Sequence, residues 1–244
     1  MHPIDCLFSK LPSVEPYPAG VCAVDGHIAG TSFFPGGDGL WKEEMASVRP
    51  STPVGKIMVL GHNFDSKEGF QKSVERGSES LKAPTWRNLL NLLEVAQIQP
   101  HSCFFTNVYM GLIAKGSNIG SFPGAKDPEF VSRCLEFLKE QIAVLRPAII
   151  LTLGAYVPPL VAEVTENLPA WKSIHSLRAL DRAGVPKVDA VKFKGVRALK
   201  TTVVALTHPA QRHLNVGNRA YRAYSGHEAE LLMLNEALNI NAEP

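Results

Sequence analysis

Lys56-Ile57-Met58-Val59-Leu60-Gly61-His62-Asn63-Phe64-Asp65 is the stretch that decides the fold. Four apolar residues follow one another with no polar alternation and then stop at a glycine. A short, continuously apolar run of this kind suits a parallel strand buried on both faces. Three more runs share the pattern: Cys103-Phe104-Phe105-Thr106, Ile149-Ile150-Leu151-Thr152-Leu153 and Thr202-Val203-Val204-Ala205-Leu206. Each ends in polar or glycine residues.

Helical spacing fills the intervals. Thr85 to Ala96 places Trp86, Leu89, Leu90, Leu92 and Leu93 on one side, and Pro128 to Leu145 does the same with Phe130, Cys134, Leu138 and Ile142 before Pro147 stops it. Tyr156 to Val164 is a shorter helix, and Gly226 to Leu238 closes the chain. Strands alternating with helices predict an α/β three-layer sandwich with a central four-stranded parallel sheet. Residues 1–52 are rich in Pro and Gly, with a turn-rich loop at Phe33-Phe34-Pro35-Gly36-Gly37, and read as an N-terminal extension packed on a domain of residues 53–244. Lys192, Lys194, Arg197 and Lys200 read as an exposed hairpin or loop.

In a doubly wound sheet, ligands bind at the carboxyl ends of the strands. Those ends read Gly61-His62-Asn63-Phe64-Asp65, Asn107-Val108-Tyr109, Gly154-Ala155-Tyr156 and His208-Pro209-Ala210. Taken singly, Asn63 is a turn residue and His208-Pro209 a strand terminus. Taken together, two Asn and a His on one sheet edge favour a site. His62 reads as structural or as part of a pocket rim.

The chain resembles the uracil-DNA glycosylase superfamily. The resemblance rests on Gly61-x-Asn63 after the first run, Thr106-Asn107 at the end of the second, Arg146 to Gly154 around the third and His208-Pro209 after the last. It covers residues 55 to 235. Where the family has Pro after its acid or amide, this chain has Phe64, and the third residue of the His-Pro-Ser motif is Ala210. The resemblance implies strand order 2-1-3-4 and hydrolysis of the N-glycosidic bond of uracil, or another deaminated base, flipped out of DNA. Asn63 would orient the attacking water. Asn107 would read the base, because an amide offers a donor and an acceptor together. His208 would stabilise the departing base as an oxyanion hole does. Phe64 or Phe70 would stack on the base. Arg212, His213 and Leu214 would form the loop that enters the duplex, with Arg219 near the phosphates.

Composition sets bounds on this reading. The 244 residues carry a formal net charge of +2, so any nucleic-acid surface is a local patch. Cys6, Cys22, Cys103 and Cys134 lack metal-knuckle spacing and read as reduced thiols; no metal or other cofactor is expected. With no signal peptide and no apolar run of membrane-spanning length, a cytoplasmic, monomeric DNA-repair enzyme acting in base excision is expected. Its partner would be DNA containing a damaged or deaminated base. Two alternatives stay open: a binder that kept the pocket and lost the chemistry, and a small-molecule nucleobase site on the same fold.

Overall fold

The computed structural model describes residues 2–28, 30–42, 48–116 and 121–240. The first half of the chain gives α1 Pro3–Lys10, β1 Val21–Cys22, β2 Ile57–Gly61, α2 Lys67–Arg76, α3 Pro84–Val95, β3 Cys103–Asn107 and β4 Leu112–Ile113. The second half gives α4 Pro128–Leu145, β5 Ile149–Leu153, α5 Val157–Glu163, α6 Pro169–Ser173, α7 Leu177–Arg182 and β6 Lys187–Val191. It closes with β7 Thr201–Leu206, α8 Arg212–Asn215, β8 Ala220–Tyr221, β9 Tyr224–Ser225 and α9 Gly226–Ile240.

The central sheet has five strands in the order β3-β2-β5-β7-β6. The four apolar runs pair in parallel, Ile57 facing both Cys103 and Ile149, and Ile149 facing Thr202. The expected four-stranded sheet is corrected by β6, which joins β7 antiparallel at the far edge with a register shift between Val188 and Val191. Its sequence, Lys-Val-Asp-Ala-Val, is half exposed and has no apolar run. An edge strand with one wet face does not show the signature of a strand buried on both.

Alternation along each strand explains the layers. Met58, Leu60, Phe104, Ile150, Val203 and Ala205 point to one face and pack with Phe137, Leu138 and Ile142 of α4 and Val157 and Val161 of α5. Ile57, Val59, Phe105, Leu151, Val204 and Leu206 point to the other, against Trp86, Leu89 and Leu93 of α3 and Met233, Leu234 and Ala237 of α9. Helices capped where the sequence changes character hold these layers. Asp127 accepts from the Phe130 amide at the start of α4, at 2.8 Å. Helix α2 escapes sequence reading because Phe70 is its one buried residue, although Ser66 caps it through the Gly69 amide.

Residues before β2 reach the free side of β3. The Phe34 amide donates to Phe105 O at 2.9 Å, and the Phe105 amide donates to Gly39 O at 2.8 Å. Phe34 is wholly buried and lies 5.9 Å from Phe104 and 6.1 Å from Phe137 between ring centroids. The turn-rich loop of the sequence therefore carries part of the core.

Candidate active site

The carboxyl ends of β2, β3, β5 and β7 open into a cleft of about 980 Å³. Asn63, Asn107 and His208 all line it, as do Phe64, Phe70 and Arg219. Arg212, His213 and Leu214 do not.

Parallel pairing brings Gly61 of β2 directly beside Asn107 of β3. The Asn107 side chain occupies the space over Gly61: a Cβ there would collide with Oδ1. The glycine at this position is thus the seat of a buried amide, and Asn107 is 5% exposed. The backbone behind it is fixed, since the Val108 and Tyr109 amides donate to Gly61 O at 2.9 Å and His62 O at 3.0 Å.

His208 follows β7, and Nδ1 accepts from the Ala210 amide at 3.3 Å. That bond leaves the ring proton on Nε2, so the imidazole is a donor at its outer nitrogen. Gly154, with φ of +89°, lets the β5 loop lie against it, where a Cβ would stand 3.1 Å from His208 Cβ. Burial, followed by the proximity of His62, pushes the His208 pKa below the usual histidine value. A neutral imidazole at physiological pH follows.

Asn63 is half-buried, and its Oδ1 lies 2.9 Å from His62 Nδ1. His62, read as structural from the sequence, lines the cleft and packs edge-on against Tyr109, with ring centroids 5.0 Å apart. Tyr156 sits 5.3 Å from the same ring and is 69% exposed at the mouth. The two phenylalanines form a pair at 5.4 Å, with planes 73° apart. Phe70 is buried and Phe64 half-buried, so Phe64 presents the freer ring.

The loop after His208 is held from behind. Glu230 of α9 is wholly buried. Its carboxylate accepts from the Thr207 amide at 2.7 Å, from Arg219 Nη1 at 2.6 Å and from Arg212. Arg219 also pairs with Asp181 at 2.8 Å, and Arg212 Nη2 reaches His227 Nδ1 at 2.6 Å. Burial raises the Glu230 pKa, but Arg219 and Arg212 overcome it and hold the carboxyl below its usual range. Arg212 is 8% and Arg219 2% exposed. The phosphate contact expected of them does not fit guanidinium groups engaged inside the molecule; both brace the His208 loop instead. His213 is exposed, and Leu214 is 63% exposed.

Sequence reading missed several cleft residues. Arg76 at the end of α2 and Arg178 on α7 are exposed cations that line it. Glu79 lines it too, accepting from Ser32 Oγ at 2.6 Å and from Trp86 Nε1, and burial pushes its carboxyl above the usual range. None of these follows a strand, so no local signal marks them. Among the described residues, no cluster of His, Cys, Asp and Glu could hold a metal ion, and no helix is long and apolar enough to cross a membrane.

The family model of the uracil DNA glycosylase superfamily matches residues 55–231. A search of curated proteins found no match. The matched span runs from the start of β2 into α9 and takes in every strand end that lines the cleft. On that match, with Asn63, Asn107 and His208 gathered at one sheet edge, the chain belongs to the uracil DNA glycosylase superfamily.

Proposed function

We propose that the chain is a DNA glycosylase that hydrolyses the N-glycosidic bond of uracil or another deaminated base flipped out of DNA. The observation that carries this reading is the shared cleft of Asn63, Asn107 and His208, with His208 presenting Nε2–H as a donor. Bond cleavage leaves negative charge on the departing base. A fixed neutral donor stabilises that charge without reorganising. Asn107, seated over Gly61, pairs its amide with the edge of the base. Asn63 holds the water, and Phe64, backed by Phe70, stacks on the base. The reaction needs no metal or redox cofactor.

Tyr156 is exposed at the cleft mouth and Leu214 on the loop after His208, and Arg76 and Arg178 supply local positive charge for phosphates. The chain is expected to act on DNA as a monomer in the cytoplasm, with residues 1–52 as an N-terminal extension packed on the domain of residues 53–244.

Oligonucleotides carrying uracil, hypoxanthine or xanthine, followed by alkaline cleavage at abasic sites, test the activity. The wild-type chain should excise at least one of these bases. His208→Ala should lower the single-turnover rate by a factor on the order of hundreds, the cost of one lost oxyanion donor. A wild-type rate in His208→Ala would remove the leaving-group role; no excision of any base by the wild type would leave a binding protein.

A further inference from the structure

The leaving-group role of His208 depends on one tautomer, with Nδ1 accepting and the proton on Nε2. A neutral imidazole can carry its proton on either nitrogen, and the choice is set by the hydrogen bond the other nitrogen makes. Here the peptide between Pro209 and Ala210 makes that bond, and a side chain on another helix holds the peptide. We propose that Asn88 of α3 is a positioning residue of this site, which acts through His208 by fixing the peptide that sets its tautomer. The consequence for rate rests on the glycosylase reading above; the consequence for the tautomer does not.

One planar peptide unit carries both contacts. Its Ala210 N–H donates to His208 Nδ1 at 3.3 Å, and its Pro209 carbonyl accepts from Asn88 Nδ2 at 2.8 Å. The same carbonyl accepts from the Arg212 amide, which closes the turn Pro209–Gln211 on itself. That local bond shapes the turn. The Asn88 bond, between residues 121 apart in sequence, fixes where the turn lies against α3. The orientation of the amide follows from its neighbours. A carbonyl only accepts, so Nδ2 faces Pro209, and Oδ1 is left toward Arg87 Nε, a donor at 3.4 Å.

Asn88 is mounted on a rigid element. Trp86, Leu89 and Leu93 bury α3 against the sheet, and Asn88 rides half-buried on the flank that meets the turn after β7. Asparagine inside a helix costs stability relative to alanine or leucine, because its side chain competes for backbone hydrogen bonds. The bond to Pro209 offsets that cost. Asn88 is not among the cleft-lining residues, so its effect on the reaction passes through the turn.

His208 is thereby held at the peptides on both sides. The Thr207 amide before it donates to Glu230 at 2.7 Å, and the Pro209–Ala210 peptide after it is held by Asn88. The Ala210 bond is the weak member of this set. At 3.3 Å it is longer than the usual ~2.9–3.0 Å, so a modest rotation of the peptide would lose it. Donation by Asn88 to the carbonyl end also polarises the peptide and makes its N–H a better donor. Without Asn88 the ring proton is free to move to Nδ1. Nε2 would then present a lone pair, which repels a base anion instead of stabilising it.

The test compares wild type with Asn88→Ala and with Asn88→Asp, which keeps the shape but replaces the donor with a carboxylate. The first readout is nitrogen NMR of isotope-labelled histidine, with His208→Ala assigning the signal. Wild type should show His208 with Nδ1 bare and Nε2 protonated, and both Asn88 variants should show the proton shared between the two nitrogens. The second readout is single-turnover excision of a deaminated base from an oligonucleotide. Both variants should be slower by roughly 3–10-fold, the worth of one hydrogen bond, with oligonucleotide affinity kept. In the His208→Ala background, Asn88→Ala should cost nothing further, because its effect passes through the missing ring. An unchanged His208 signal in both variants, or losses that multiply in the double variant, would overturn the proposal. An inert wild type would remove the glycosylase reading alone, and the NMR signal would still decide whether Asn88 sets the tautomer.

Discussion

Gly61 is defined by what its neighbour needs. The strand register puts it beside Asn107, and the amide oxygen of Asn107 takes the volume a methyl group would fill. Gly61→Ala should therefore displace the amide proposed to read the base while leaving the strand paired. Loss of about 1–3 kcal/mol of hydrogen bonding would lower excision ~10–100-fold. Thermal unfolding and single-turnover assays together check this: a stable protein with poor excision is expected, and wild-type excision would show that Asn107 does not read the base. Asn107→Asp should change which base is accepted, because an acceptor-only carboxylate replaces the amide donor. Competition among uracil, hypoxanthine and xanthine oligonucleotides would read that change.

At the scale of elements, α9 and the loop after β7 act as a unit. The wholly buried Glu230 ties the residue before His208 to Arg212 and Arg219, five and twelve residues further along the chain. Removing one partner of a buried ion pair leaves charge without compensation, at a cost of about 3–5 kcal/mol. Glu230→Ala should lower the unfolding midpoint sharply and loosen the His208 loop. The pH effect has a definite sign. The carboxyl is held below its unfolded value, so its stabilisation is complete above the ordinary carboxylate pKa and is lost as pH falls through its lowered folded value. Denaturant melts of wild type and variant across the acid range should converge. Melts that run parallel at all pH would show that Glu230 does not titrate with folding.

For the whole molecule, the cleft mouth and the segment before β2 matter most. Exposed Arg76 and Arg178 stand on different helices around the opening, whereas Arg212 and Arg219 are enclosed. Charge reversal at Arg76 or Arg178 should weaken oligonucleotide binding and flatten its salt dependence, with chemistry at saturation spared. Fluorescence anisotropy titrations at several salt concentrations check this; an unchanged salt slope in both variants would move the phosphate contact elsewhere. Phe34, wholly buried against Phe104 and Phe137, makes the N-terminal segment part of the core. Phe34→Ala should cost about 3–5 kcal/mol, as truncation of a buried aromatic does, and a denaturation midpoint close to wild type would contradict that packing.

The sequence by itself determined the strands and the residues that follow them. Ile57 to Leu60, Ile149 to Leu153 and their companions are apolar throughout because a central parallel strand is covered on both faces, and that requirement is local enough to read. Asn63, Asn107 and His208 were legible as strand-end residues for the same reason, each lying one to three residues past a run. Only the tertiary structure decided the rest. β6 has one exposed face and α2 buries little, so neither carries a period strong enough to see. The Phe33-Phe34 loop reads as a surface turn until β3 is beside it. Above all, the charges of Arg212 and Arg219 look free in sequence. Their carboxylate partners, Asp181 and Glu230, lie 11 to 38 residues away, and an ion pair across that separation is created by folding and by nothing nearer.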